Sequence, residues 1–89
     1  MSGPVVLYGK TSCGYCRRAR ELLARKGVAY TDIDVEKVEG ARAEMQRCSG
    51  RNTVPQVFAG ERHLGGFDDI AALDALGELD PILAGTPAP

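Results

Sequence analysis

The chain contains no run of apolar residues approaching the roughly 18 needed to cross a bilayer, so no membrane-spanning segment is expected. It has little excess charge of either sign: 11 Lys and Arg face 12 Asp and Glu, for a formal net charge of −1. Recruitment of nucleic acid or of an anionic surface by bulk electrostatics is therefore not expected. Cysteine occurs three times and histidine once. An odd number of cysteines cannot all pair within one chain, which argues against a secreted, disulfide-stapled scaffold. No charged stretch followed by an apolar core opens the chain, so no secretory signal is read and a cytoplasmic protein is expected. Its 89 residues suffice for one domain with a single core and no compulsory staples.

What is present reads as alternating strands and helices. "VVLY" (residues 5–8) is a short apolar run, consistent with a buried strand ending at Gly9. From Cys16 the pattern turns helical: Ala19, Leu22 and Leu23 share a face, Glu21 stands four before Arg25, and Gly27 is a natural stop. "VAYTDIDV" (28–35) alternates as a second strand. A second helix is expected over 39–49, with Ala41, Met45 and Cys48 at core-like spacing. "QVFA" and "RHL", separated by Gly60-Glu61, suggest a hairpin. A third helix follows over 65–76, with Asp68 or Asp69 near its N-cap, and a last helical turn over 80–83. The expected class is α/β: a four-stranded mixed sheet flanked by helices in the order β-α-β-α-β-β-α, one domain over residues 1–84 with a flexible tail over 85–89.

The segment "TSCGYC" places Cys13 and Cys16 three positions apart at the start of the first helix. A structural zinc site needs four ligands, usually in two spaced pairs, and Cys48 and His63 form no second pair. Two buried thiols packing as small hydrophobes would account for a lone cysteine, but poorly for C-x-x-C after the first strand of a βαβ unit. That context is the one expected for a redox dithiol. At the helix N-terminus, free N–H groups and the positive dipole end stabilise a thiolate at Cys13, and Lys10, Arg17 and Arg18 add positive potential. Cys13 is thus expected to be the nucleophile. Cys16, further into the helix on the same face, is expected to be the resolving thiol.

"YGKTSCGYC", "RNTVPQVF" and "LGGFDDIAALDALGELDPIL" together resemble the three signature segments of dithiol glutaredoxins, over nearly the whole chain from Val5 to about Leu83. The resemblance implies a thioredoxin-like fold and a glutathione-dependent oxidoreductase that reduces protein disulfides and protein–glutathione mixed disulfides. It implies a cis Val54–Pro55 bond, with Thr53, Val54 and Pro55 presenting a backbone edge to the cysteinyl residue of glutathione. Gly66, Phe67 and Asp68 would open the third helix as a site for the γ-glutamyl carboxylate, with Asp68 taking the α-ammonium. Lys10 would meet the glycyl carboxylate, and Tyr15 would line the groove. The partners implied are glutathione and disulfide-bearing or glutathionylated proteins, met by a monomer.

Departures from the pattern matter as well. Gly14 stands where dithiol members commonly carry proline, and members lacking it resemble those that bind an iron–sulfur cluster. The alternative function is accordingly a cluster carrier, a dimer bridged through Cys13 of each chain and two glutathiones, with no metal held otherwise. A thioredoxin proper typically has Trp before its first cysteine, and this chain has none. A redoxin dedicated to ribonucleotide reductase would lack the glutathione signature. Cys48 is expected to be a passive thiol, its exposure left open, Arg51 a surface charge, and His63 to have no catalytic role.

Overall fold

Strand β1 (Val5–Gly9) is apolar along its whole length because both its faces are covered. Val5 and Leu7 point into one core and Val6 and Tyr8 toward another, as the two-residue period of a strand requires. The computed structural model describes residues 4–85. After β1 come α1 (Gly14–Arg25), β2 (Tyr30–Asp34), α2 (Ala41–Ser49), β3 (Gln56–Ala59), β4 (Arg62–Gly65), α3 (Phe67–Ala75) and α4 (Leu79–Ala84). The sheet order is β2-β1-β3-β4, with β1 parallel to β2 and antiparallel to β3, and β4 antiparallel to β3. This is the expected mixed sheet.

The larger core lies between the sheet and α1, α3 and α4. Val5, Leu7, Val57 and Ala59 meet Ala19, Leu22 and Leu23 of α1, Ile70 of α3, and Leu79 and Leu83 of α4. On the other face, α2 places Ala41 and Met45 against Tyr8 and Phe58, whose rings meet edge to face at 5.8 Å. The helices of the first face are also tied by charge: Lys26, at the end of α1, reaches Asp74 of α3 and, at 3.0 Å, Asp80 of α4.

Several boundaries differ from the expectation, each for a local reason. The second strand begins at Tyr30 rather than at residue 28, because Gly27 (φ 70°) turns the chain back and the Val28 N–H closes on Leu23 O. It ends at Asp34, whose carboxylate accepts the N–H groups of Glu36 (2.8 Å) and Lys37 (3.2 Å) and so starts a turn. Helix α2 starts two residues late, after Gly40 at φ 80°. Glu21 pairs with Arg17 (3.9 Å), one turn back, rather than with Arg25. The last turn is a six-residue helix, α4. Of the expected tail, 86–89 lies outside the described residues. Among the described residues, no helix is long and apolar enough to cross a membrane.

The third helix starts at Phe67 rather than at residue 65, with Asp69, one of the two acids expected near its N-cap, in the first turn. Gly66 is its N-cap, and Asp69 reaches back to accept the Gly66 N–H at 2.9 Å. Gly65 precedes it at φ 108°, and a Cβ there would run into the Asp69 carboxylate and lie 2.6 Å from Asp69 Cβ. Gly65→Ala should therefore destabilise the protein more than Gly50→Ala. Gly50 is also left-handed (φ 72°), but its Cβ would meet nothing, so only the backbone cost of about 1–2 kcal/mol applies. Urea denaturation of the two variants checks this; equal losses would show that the Asp69 clash does not matter.

Candidate active site

The active-site helix begins with a thiol as its cap. Cys13, in extended conformation, is the N-cap of α1, and its Sγ accepts the Cys16 N–H at 3.3 Å. The Arg17 N–H starts the helical ladder on Cys13 O. Burial alone would push the Cys13 thiol up. The Cys16 thiol, the N–H groups of Cys16 and Tyr15, and the Lys10 charge outweigh it and hold Cys13 below the ordinary thiol range. Cys16 is wholly buried, and burial, followed by its hydrogen bond to Cys13, pushes its thiol up to about 11. The two thiols are thus driven apart in acidity. Arg20, one turn beyond Cys16 and held by Asp32 at 2.7 Å, opposes that rise with its charge, as does the Lys10 backbone hydrogen bond.

Opposite Cys13 lies the loop between α2 and β3. The Val54–Pro55 bond is cis, and Cys13 Sγ stands 3.9 Å from Val54 O. From there an open groove of about 270 Å³ runs toward the start of α3. Its lining brings together Tyr15, Thr53, Val54, Pro55, Gly66, Phe67 and Asp68 with Arg51, Gln56 and Asp69. Tyr15 is more than half exposed; its ring lies 6.3 Å from that of Phe67 and under the Arg18 guanidinium at 5.5 Å. At the far end Arg51 donates to Asp69 at 2.8 Å, and this pair with the Gly66 N–H holds the Asp69 carboxyl below its usual range.

The glutaredoxin family model matches residues 5–64 of this sequence. The chain belongs to the glutaredoxin family. It is similar to glutaredoxin 3 of Escherichia coli K12, with 48% identity over 79 residues, covering 89% of this chain and 95% of that one. It is similar also to a glutaredoxin of Pseudomonas aeruginosa, with 47% identity over 81 residues, covering 91% of this chain and 96% of the other. Among solved structures, the buckwheat glutaredoxin–glutathione complex superposes with a TM-score of 0.84 at 34% identity, covering 91% of this chain and 76% of that one. A Brucella melitensis glutaredoxin gives 0.79 at 49% identity, covering 92% and 89%. The fold is that of thioredoxin-like glutaredoxins, and the family is one of glutathione-dependent thiol oxidoreductases.

Of the ten expected site residues, seven line this groove, Cys13 and Cys16 stand at the start of α1, and Lys10 lends its charge to Cys13 from outside the groove lining. Three residues now join them. Arg51, read as surface charge, lines the groove. Asp69, which the sequence marks only as a helix-cap residue, anchors Arg51, and Gln56 is a buried strand residue within the lining. The sequence does carry a signal for Gln56, which stands two before Phe58 and so shares its strand face. Cys48, whose exposure the sequence leaves open, is exposed. Among the described residues, no three His, Cys, Asp or Glu converge to hold a metal ion, so one chain alone does not fit a metal cluster.

The acidity difference gives a direct expectation. Alkylation of Cys13 by iodoacetamide should rise with pH and reach its plateau below the ordinary thiol range, because the thiolate is the reacting form. Cys16 should stay unmodified in the folded protein up to strongly alkaline pH. Peptide mass spectrometry after timed labelling checks both, and equal labelling of Cys13 and Cys16 near neutrality would contradict the assignment.

Proposed function

We propose that the protein uses glutathione to reduce protein disulfides and protein–glutathione mixed disulfides, with Cys13 as nucleophile and Cys16 as resolving thiol. The observation that supports this most is the position of Cys13 Sγ, bonded to the Cys16 N–H and facing the Val54 carbonyl at the mouth of the groove. In the monothiol branch the Cys13 thiolate attacks the glutathione sulfur of a mixed disulfide. The client leaves as a thiolate that takes a proton from solvent. A glutathione thiolate then attacks the Cys13-bound glutathione, forming glutathione disulfide and regenerating the Cys13 thiolate. In the dithiol branch Cys13 attacks a client disulfide, and Cys16, having lost its proton, attacks Cys13. The client leaves reduced, and two glutathiones reduce the Cys13–Cys16 disulfide.

The groove offers each part of glutathione a partner. The Val54 backbone edge suits an extended cysteinyl residue, as an added strand. The Ile70 N–H begins the α3 ladder on Gly66 O, which leaves the N–H groups of Phe67 and Asp68 without helical partners for a carboxylate. Exposed Asp68 suits the α-ammonium, and Lys10 the glycyl carboxylate.

Cys13→Ser should abolish both activities in an assay coupled to glutathione reductase. Cys16→Ser should keep reduction of glutathione mixed disulfides and lose reduction of protein disulfides. Asp68→Lys should raise the apparent KM for glutathione roughly ten- to hundredfold, the equivalent of one charged hydrogen bond, with Cys13 alkylation unchanged. Equal loss of both activities in the two cysteine variants would overturn the roles; unchanged glutathione kinetics in Asp68→Lys would overturn the α3 site.

A further inference from the structure

Gln56 is the only buried polar side chain among the described residues, 1% exposed, and it stands directly behind the loop that faces Cys13. A buried amide is costly unless its donors and acceptor are matched. Here they are. Its Nε2 donates to Thr53 O (3.1 Å) and Thr53 Oγ1 (3.2 Å), and its Oε1 lies 2.6 Å from His63 Nε2. The direction of this chain of bonds follows from chemistry. Thr53 O can only accept, so the amide end that faces it must be the NH2. The amide oxygen then faces His63 and can only accept, so Nε2 must carry the imidazole proton.

His63 is well placed to enforce this. It stands opposite Phe58 in the β3–β4 ladder, and its ring lies over that of Phe58 at 4.9 Å and 34°. Burial, and then the Arg51 charge, hold its pKa below the ordinary value, with Asp69 opposing, so the ring is neutral near pH 7. Residues 51–55 lie outside helix and strand, so Thr53 depends on side-chain contacts for its orientation. We propose that His63, acting through Gln56, is a positioning residue that fixes Thr53 and hence the Val54 backbone edge that receives glutathione. This rests on the functional reading above, in which Val54 pairs with the cysteinyl backbone.

His63→Phe keeps a ring over Phe58 and removes the donor; His63→Gln loses the ring and restores an N–H at a similar reach. With a glutathione mixed disulfide as substrate, His63→Phe should raise the apparent KM roughly two- to tenfold, the worth of one neutral hydrogen bond. Its kcat and the Cys13 alkylation rate should stay as in the wild type, and His63→Gln should return KM to within about twofold. A role confined to packing predicts the reverse order, with Phe tolerated better than Gln. The chain's single histidine also allows an assay of the folded wild type: nitrogen-15 NMR of the imidazole near neutral pH should show the proton on Nε2 and Nδ1 bare. A proton on Nδ1, an unchanged KM in His63→Phe, or failure of His63→Gln to restore it would overturn the positioning role while leaving the oxidoreductase standing. A wild type that does not turn over glutathione mixed disulfides would overturn the functional reading itself.

Discussion

One hydrogen bond, from the Cys16 N–H to Cys13 Sγ, joins the folding of this protein to its chemistry. Helices begin with several N–H groups that lack helical partners, and side-chain oxygens of Ser, Thr, Asp or Asn usually take one of them. Here a sulfur does so. A thiol is a weak acceptor but a thiolate is a strong one, so the same contact that caps α1 favours ionisation of Cys13. The sheet sets the place of this contact. β1 is central, clamped between β2 and β3, and delivers the chain at Gly9 to a helix whose inner face is already fixed by Ala19, Leu22 and Leu23.

The second thiol shows why the pair is not symmetric. A lower thiol pKa raises the thiolate fraction but reduces intrinsic nucleophilicity with a slope of about 0.4–0.5, so attack alone gains little near neutral pH. In the mechanism proposed above, the gain is on departure, when Cys13 is expelled from a mixed disulfide. Cys16 has the opposite requirement, since it must remain protonated until it is needed. Burial holds it up first, then the hydrogen bond and the charge of Cys13. Once Cys13 is bonded to another sulfur, the thiolate charge is gone and burial remains, opposed by the Lys10 backbone hydrogen bond and then by the Arg20 guanidinium. On that proposed mechanism, forming the mixed disulfide at Cys13 would itself free Cys16 to ionise and attack it.

The sequence made the central strand, the thiol pair and the helix faces legible, because each rests on short-range periodicity or spacing. Where it left a residue's setting open, the deciding contact came from another element. Cys48 follows Ala41 and Met45 at helical spacing and does lie on the inner side of α2, lining a cleft with Tyr8 and Phe58. That cleft is bounded by Gly60 and Glu61 of the hairpin turn, which carry no apolar bulk to close it, so the thiol stays exposed. Arg51 reads as surface charge until α3 brings Asp69 to it from 18 residues away. Gln56 reads as an ordinary strand residue until β4 sets His63 against its amide.

The paired acids at the start of α3 divide two tasks that the letters "DD" cannot separate. Both sit in the first helical turn, where either carboxylate would favour the positive dipole end. The backbone decides between them. Gly65 at φ 108° leaves room that a Cβ would fill, and Asp69 turns into that room to reach the Gly66 N–H and Arg51. Asp68 is thereby left exposed on the groove wall, with no hydrogen bond or ion pair of its own among the described residues. One carboxylate holds the wall together, and its neighbour remains available to a cationic group in the groove. Exchanging their partners would need a different backbone at Gly65–Gly66, so the glycines, more than the acids, determine which of the two carboxylates stays open to the groove.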